Sequence, residues 1–346
     1  MNDIKLTGYS KGSGCGCKIS PAALKEILQT SDDFPADNRI WVGNDTHDDA
    51  AVFGWNEQEG LISTTDFFMP MVDDAYSFGK IAAANAMSDV YAMGGTPMMA
   101  LAILGWPIDK LPLSLAREVM EGARYTCRMA GITIAGGHSI ESPEPFFGLS
   151  VNGRVPKNNL KQNNTAQQGD LLYLTKPIGN GIVSAAVKRG QLEDDSHLES
   201  IISYMSTLNK LGATVSHVEG VHAMTDVTGF GLAGHLLEIC ESSNLGAEIE
   251  FNQIPVYPFL HSYISKHIYP DMTMKNYSHY SSKISSLDLA KLLVMCDPQT
   301  SGGLLIAVAP HAAHELEAYM NDFGIMGHSQ PIGTLVKSTN PIIQVR

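Results

Sequence analysis

Positive charge is scarce in this chain: Lys and Arg total 23 against 36 Asp and Glu, for a net charge of −13. Such a chain repels nucleic acid and anionic lipid unless a local basic patch overrides the field, and no basic run in the sequence does so. Long apolar runs are missing too. No stretch of about 18 apolar residues occurs, which excludes a helical membrane span. The first ten residues lack a basic region followed by an apolar core, so no secretory signal is expected. Cysteine is sparse: five in 346 residues, with only Cys15 and Cys17 close together, which excludes a disulfide scaffold. The expectation is a cytoplasmic protein with reduced thiols and neither a nucleic-acid nor a membrane partner. Tandem repeats and low-complexity tracts are likewise absent.

What the chain does have is apolar residues, 44% of the total and spread evenly, enough for a packed core rather than a disordered chain. Its 346 residues favour two domains of roughly 150 each. Residues 9–19, rich in Gly and Ser without apolar periodicity, read as a mobile loop. Ser20 and Pro21 then suit an N-cap and first helical position, with Leu24, Ile27 and Leu28 at helical spacing. Short β-like runs at 50–53, 61–65, 98–104, 132–135 and 147–155 alternate with helical patterns at 76–93 and 115–130, each stopped by glycine. Between 156 and 169 the composition turns to Lys, Asn and Gln, the expected domain boundary. Beyond it come an apolar run at 171–174, helices near 181–189, 199–211 and after Gly231, and strands near 304–308 and 342–345. The pattern is α/β or α+β in two domains: a loop at 1–19, a first domain at 20–157 and a second at 158–346.

The sharpest local feature is Gly12-Ser13-Gly14-Cys15-Gly16-Cys17-Lys18. Glycine leaves the thiols sterically open, and a neighbouring ammonium favours the thiolate. A reactive cysteine on a flexible loop is one reading; half a zinc site, a redox pair or an ordinary loop are the others. Zinc wants a second ligand pair, and Cys127, Cys240 and Cys296 each stand alone. The segment is not a Walker A loop, because no Ser or Thr follows Lys18.

Aspartates recur among small or apolar neighbours: Asp48-Asp49 before Ala50, Asp66 after Ser63-Thr64-Thr65, Asp89 on an apolar helix and Asp226 after Ala223-Met224-Thr225. A single such residue is usually a cap or lies at the surface. Several together invite Mg²⁺, which uses one or two carboxylates plus substrate phosphate oxygens and would also offset the charge of an anionic substrate. Gly136-Gly137-His138-Ser139 reads as a strand-to-loop transition able to meet a phosphate, or as a plain turn. Gly229-Phe230-Gly231-Leu232-Ala233-Gly234 matches a dinucleotide fingerprint, but residues 221–227 make a poor buried strand because Thr225 and Asp226 interrupt them. Cys296-Asp297-Pro298-Gln299-Thr300-Ser301-Gly302-Gly303 reads as a turn feeding a strand, with no chemistry assigned.

Eight stretches, in order, resemble the selenophosphate synthetase (selenide, water dikinase) family: GCGCKISP from Gly14, DDAAV from Asp48, STTDFFMP from Ser63, AANAMSDVYAMGG from Ala83, AILGWPI from Ala102, AGGHSI from Ala135, MTDVTGFGL from Met224 and CDPQTSGGLL from Cys296. The resemblance covers nearly the whole chain. It implies the two-domain α/β fold of the aminoimidazole ribonucleotide synthetase superfamily, a homodimer paired through the first domains, and conversion of ATP, selenide and water to selenophosphate, AMP and orthophosphate. It puts the nucleophile at Cys15 and the essential lysine at Lys18, and the Mg²⁺ ligands at Asp49, Asp89 and Asp226. Nucleotide contacts fall on Lys18, Thr46, His47, Asp48, Asp66, Asp89, Gly137, His138 and Ser139. At His47 members often carry a cation, which a neutral imidazole replaces poorly. A monovalent cation such as K⁺ is a further candidate, and the selenium source is free selenide or a protein-bound donor. Within the superfamily, an aminoimidazole ribonucleotide synthetase or a thiamine-monophosphate kinase is the rival reading, and a non-catalytic thiol carrier is another.

Overall fold

The computed structural model describes residues 4–19, 26–27, 37–43, 48–325 and 329–346, with the backbone alone at Cys17. Thr46, His47 and the expected helix start at Ser20-Pro21 lie outside the described residues. Two six-stranded mixed sheets organise the rest. The first contains β1 (Ile40–Val42), β2 (Ala51–Gly54), β3 (Glu59–Phe68), β4 (Thr96–Trp106), β5 (Ile134–Glu141) and β6 (Phe146–Pro156), ordered β1-β2-β3-β6-β4-β5. Its pairs are antiparallel except β4–β5, which is parallel.

Strand β3 alternates buried Ile62 and Phe68 with exposed Ser63, Thr65 and Phe67, the period-two signature of a sheet with two different faces. One face packs on α1 (Ala75–Ala92), which in turn packs on α2 (Leu113–Met129). Helix α1 is buried on almost every side, and its Ala-rich, nearly non-amphipathic composition is what such a position requires. Among the described residues the other face is bare: Phe67, Met99, Leu101 and Ile140 are all at least 37% exposed.

The second sheet contains β7 (Leu171–Leu174), β8 (Val221–Asp226), β9 (Leu245–Ile249), β10 (Leu304–Val308), β11 (Gly333–Lys337) and β12 (Ile343–Val345), ordered β12-β9-β11-β7-β10-β8. Around it lie α3 (Asn180–Lys188), α4 (Asp195–Met205), α5 (Leu211–Val215), α6 (Gly231–Ser242), α7 (Leu260–Ser265), α8 (Asp271–Tyr280), α9 (Leu289–Met295) and α10 (Ala313–Asp322). Helix α1 also touches β8 and α5, so it forms the seam between the two units. Among the described residues no helix is long and apolar enough to cross a membrane.

Three expectations are corrected here. Residues 221–226 do form a strand, buried along nearly its whole length; Thr225 and Asp226 end it instead of breaking it. It pairs antiparallel with β10, so the glycines that follow do not open the parallel βαβ unit of a dinucleotide fold. Gly136 to Ser139 lie inside β5, not at its exit. The helix expected at 199–211 is two helices, α4 and α5.

Candidate active site

The N-terminal segment is held against both units. The Gly14 N–H donates to the Met69 carbonyl at 3.0 Å, next to β3. The next N–H, that of Cys15, donates to Thr300 Oγ1 at 3.0 Å in the second unit. Gly14 makes this crossing with φ +50°, and a Cβ there would lie 2.3 Å from Thr300 Oγ1, so only glycine fits without displacing the threonine. Upstream, Lys188 Nζ at the end of α3 donates to the carbonyls of Ser10, Lys11 and Gly12 at 3.0, 2.6 and 2.9 Å, while the Lys11 N–H donates to Glu144 Oε2 at 3.0 Å. The thiol expected to be sterically open is therefore enclosed: Cys15 is 1% exposed.

Cys15 Sγ donates to Asn85 Oδ1 at 3.4 Å. The same oxygen accepts the Ser301 N–H at 2.7 Å, and Asn85 Nδ2 donates to Asp66 Oδ2. Asn85 thus joins the thiol to a carboxylate. Its signal in the sequence was a lone amide one turn before Asp89 on an Ala-rich helix, since residues four apart share a face. Thr300 and Ser301 belong to the turn to which no chemistry was assigned. Ser301 takes φ +48°, a conformation unusual for a residue with a side chain. Asn85 holds its N–H, and Lys176 Nζ donates to its carbonyl at 3.1 Å.

Lys18 lies 5.8 Å from the centroid of the Phe230 ring. Gly229 allows the close approach: a Cβ there would stand 2.7 Å from the Cys15 carbonyl. Burial alone would depress the Lys18 ammonium, but Asp66, Cys15, Asp89 and Asp226 outweigh it and hold the group well above the usual lysine range.

Asp49 precedes β2, Asp89 lies in α1 and Asp226 ends β8, and each places a carboxylate oxygen within 4.8 Å of the other two. Burial raises all three, and Asp226 raises the other two further. Asp49 is pushed well up by burial, then by Asp226 and Asp89; Asp89 by burial, then by Asp226 and Asp66; Asp226 by burial, with Ser88, His235 and Lys18 opposing. Neutral Thr225 and Thr64 donate to Asp49 and Asp89 respectively. Asp49 Oδ2 and Asp226 Oδ2 are buried without a hydrogen-bond partner. An all-oxygen donor set with unsatisfied carboxylate oxygens fits a hard divalent cation.

The other expected positions divide. Asp66 is joined to Cys15 through Asn85, while Asp48 Oδ1 accepts the Asn163 N–H at 2.6 Å. Gly137, His138 and Ser139 are not brought there. Asp66, Leu149, Ala102 and Gly137 form one row across β3-β6-β4-β5, which puts Gly137 three strand spacings away, about 14 Å. Burial pushes Cys127, Cys240 and Cys296 each up to about 12, which disfavours their thiolates.

The family models for the N-terminal and C-terminal domains of AIR synthase related proteins match residues 47–155 and 167–346. A selenide, water dikinase of Shewanella sp. (strain MR-4) is 52% identical over 92% of this chain and 91% of its own length. A selenide, water dikinase of Colwellia psychrerythraea (strain 34H) is 50% identical over 100% of this chain and 99% of its own. The fold also resembles a solved thiamine-monophosphate kinase from Stenotrophomonas maltophilia K279a, at 18% identity, with TM-score 0.63 over 89% of this chain and 91% of that one. Identity at this level along nearly the full length decides the family that the two-sheet fold alone leaves open: the chain belongs to the selenide, water dikinases, within the AIR synthase related proteins.

Proposed function

We propose that this protein transfers the γ-phosphoryl group of ATP to selenide and then hydrolyses the resulting ADP, yielding selenophosphate, AMP and orthophosphate. The observation that carries the reading is the enclosure of Cys15 and Lys18 beside the three clustered carboxylates. Selenide attacks the γ-phosphorus, the bond to the bridging oxygen breaks, and ADP leaves with the electron pair. Water then attacks the β-phosphorus and AMP departs. Mg²⁺ held by Asp49, Asp89 and Asp226 would supply charge neutralisation for the phosphate oxygens. Lys18, kept protonated by its carboxylate neighbours, is a fixed positive charge for the transferring group. Cys15 is the soft ligand for selenium, oriented by Asn85. The closed loop excludes water during the first transfer, and its release admits water for the second.

The nucleotide set is Lys18, Thr46, His47, Asp48, Asp66 and Asp89, with Gly137, His138 and Ser139. The last three lie on an exposed edge strand, which supports a homodimer through the bare face of the first sheet, with β5 of one copy serving the site of the other. A monovalent cation such as K⁺ completes the expected requirements, and free selenide or a protein-bound donor supplies selenium. Reduced thiols and the anionic surface suit a cytoplasmic enzyme. Phosphorus NMR of the protein with Mg-ATP and anaerobic selenide tests the reading. A selenium-coupled phosphate resonance with equimolar AMP is expected, and Cys15→Ser should strongly depress it. ADP accumulating with a phosphorylated organic acceptor would favour the kinase alternative and overturn it.

A further inference from the structure

Two cavities border the loop carrying Cys15. One, of about 340 Å³, is lined by Cys15 and Lys18 with Asp66, Phe67, Phe68 and Phe146, and belongs to the site above. The other, of about 390 Å³, is bordered by Gly12, Ser13 and Gly16 without Cys15. Its remaining walls come from α3, α8 and the turn containing Pro298 and Thr300.

The charge of this second cavity runs against that of the molecule. Lys11, Lys188, Arg189 and Lys275 line it, with Asp271 as the single carboxylate among the described residues, in a chain of net charge −13. Asp271 stands 3.8 Å from Arg189 with its side chain 93% exposed to solvent, and Arg189 Nη2 also donates to the Tyr269 carbonyl at 2.9 Å. Lys188 is occupied with the loop carbonyls. That leaves Lys11 and Lys275 as ammonium groups with no carboxylate partner among the described residues. Neutral donors stand beside them: Ser184, and Ser13, whose buried Oγ has no hydrogen-bond partner. Small residues such as Gly12, Gly16, Gly181 and Ala185 keep the floor open.

We infer that this cavity binds a free, metal-unbound phosphate-class oxyanion. The two cavities sort their ligands by charge. The carboxylate cluster repels a naked oxyanion and accepts one only with its cation, whereas the Lys11–Lys275 cavity attracts the naked anion and, among the described residues, offers a divalent ion only the solvent-exposed Asp271. Two sources can supply such an anion. One is the reaction itself, as orthophosphate or selenophosphate, an assignment that rests on the proposed dikinase reading; the other is the surrounding phosphate pool.

The test is calorimetric titration of sodium orthophosphate into the full chain in the presence of a chelator, without ATP, selenide or divalent ions. Saturable binding with a dissociation constant on the order of 1 mM or tighter is expected. Lys275→Glu should weaken it at least about tenfold, and Lys275→Gln by less. Lys337→Glu on β11, carrying the same change in net charge outside the cavity, should leave it intact. Circular dichroism and melting temperature check that the variants are folded. Absence of saturable binding, or equal weakening by Lys275→Glu and Lys337→Glu, overturns the site. Steady-state kinetics then separate the sources. Orthophosphate inhibition that is noncompetitive with ATP and relieved in Lys275→Glu identifies a product on its way out; binding with no kinetic effect identifies the pool. Failure of selenide-dependent turnover would remove the dikinase reading while leaving the calorimetry unaffected.

Discussion

Asn85 is fully buried and makes three directed contacts, to Cys15, Ser301 and Asp66. Replacing it with leucine of similar volume leaves the Ser301 N–H without an acceptor and Asp66 without a donor. That should cost about 2 kcal/mol or more in denaturant unfolding, together with most of the turnover. Asp297 gives the pH dependence. Burial pushes its carboxyl up to about 8, against hydrogen bonds from Gln299, Ile182 and Gly181. Because the folded value lies above the unfolded one of 3.8, the folded chain keeps a proton that the unfolded chain has lost. Stability is therefore full below about 4 and declines as pH rises towards 8. Lys176, lowered to about 7 by burial, has the opposite sign and adds stability from about 7 upward. Unfolding free energies at pH 5, 6.5 and 8 should fall less steeply in Asp297→Asn than in the parent; parallel curves would show that Asp297 carries none of the slope. Little of this was legible in the sequence, because Asn85, Asp297 and Thr300 lie up to 285 positions from the residues they serve and only the fold brings them together.

Elements with a strong period were legible. Helix α2 shows its apolar stripe, β3 and β6 their alternation, and β10 its continuous apolar run. Strand β8 was misjudged because its last two residues are polar, and those residues are the ones it delivers to the carboxylate cluster: local rules fail where a strand ends in a site. Strand β5 was read only in its first residues: the apolar run ending at Ala135 was legible, while Gly136 and Gly137 made the rest look like a turn. The N-terminal segment carries no period at all, so its docking was hidden. That docking is testable by hydrogen exchange. Gly14→Ala, which drives a methyl group into Thr300, and Lys188→Met, which removes three hydrogen bonds, should each speed amide exchange in residues 10–18 about tenfold or more. Unchanged exchange in both variants would mean that neither contact holds the segment.

For the whole molecule, the bare sheet face is the feature most in need of a partner. Exposed Phe67, Met99, Leu101 and Ile140 are contiguous with the strand that bears Gly137, His138 and Ser139. On the proposed pairing through this face, the parent should scatter light as a dimer and Leu101→Glu as a monomer without turnover; an active monomer would show that each site is complete in one chain. The carboxylate cluster has an effect at this scale as well. Asp49 and Asp89 belong to the first unit and Asp226 to the second, so the crowded negative charge straddles α1, where the halves meet. Without a counterion that crowding acts as a wedge driven into the joint. With one it becomes a rivet, so filling the site tightens the architecture that built it.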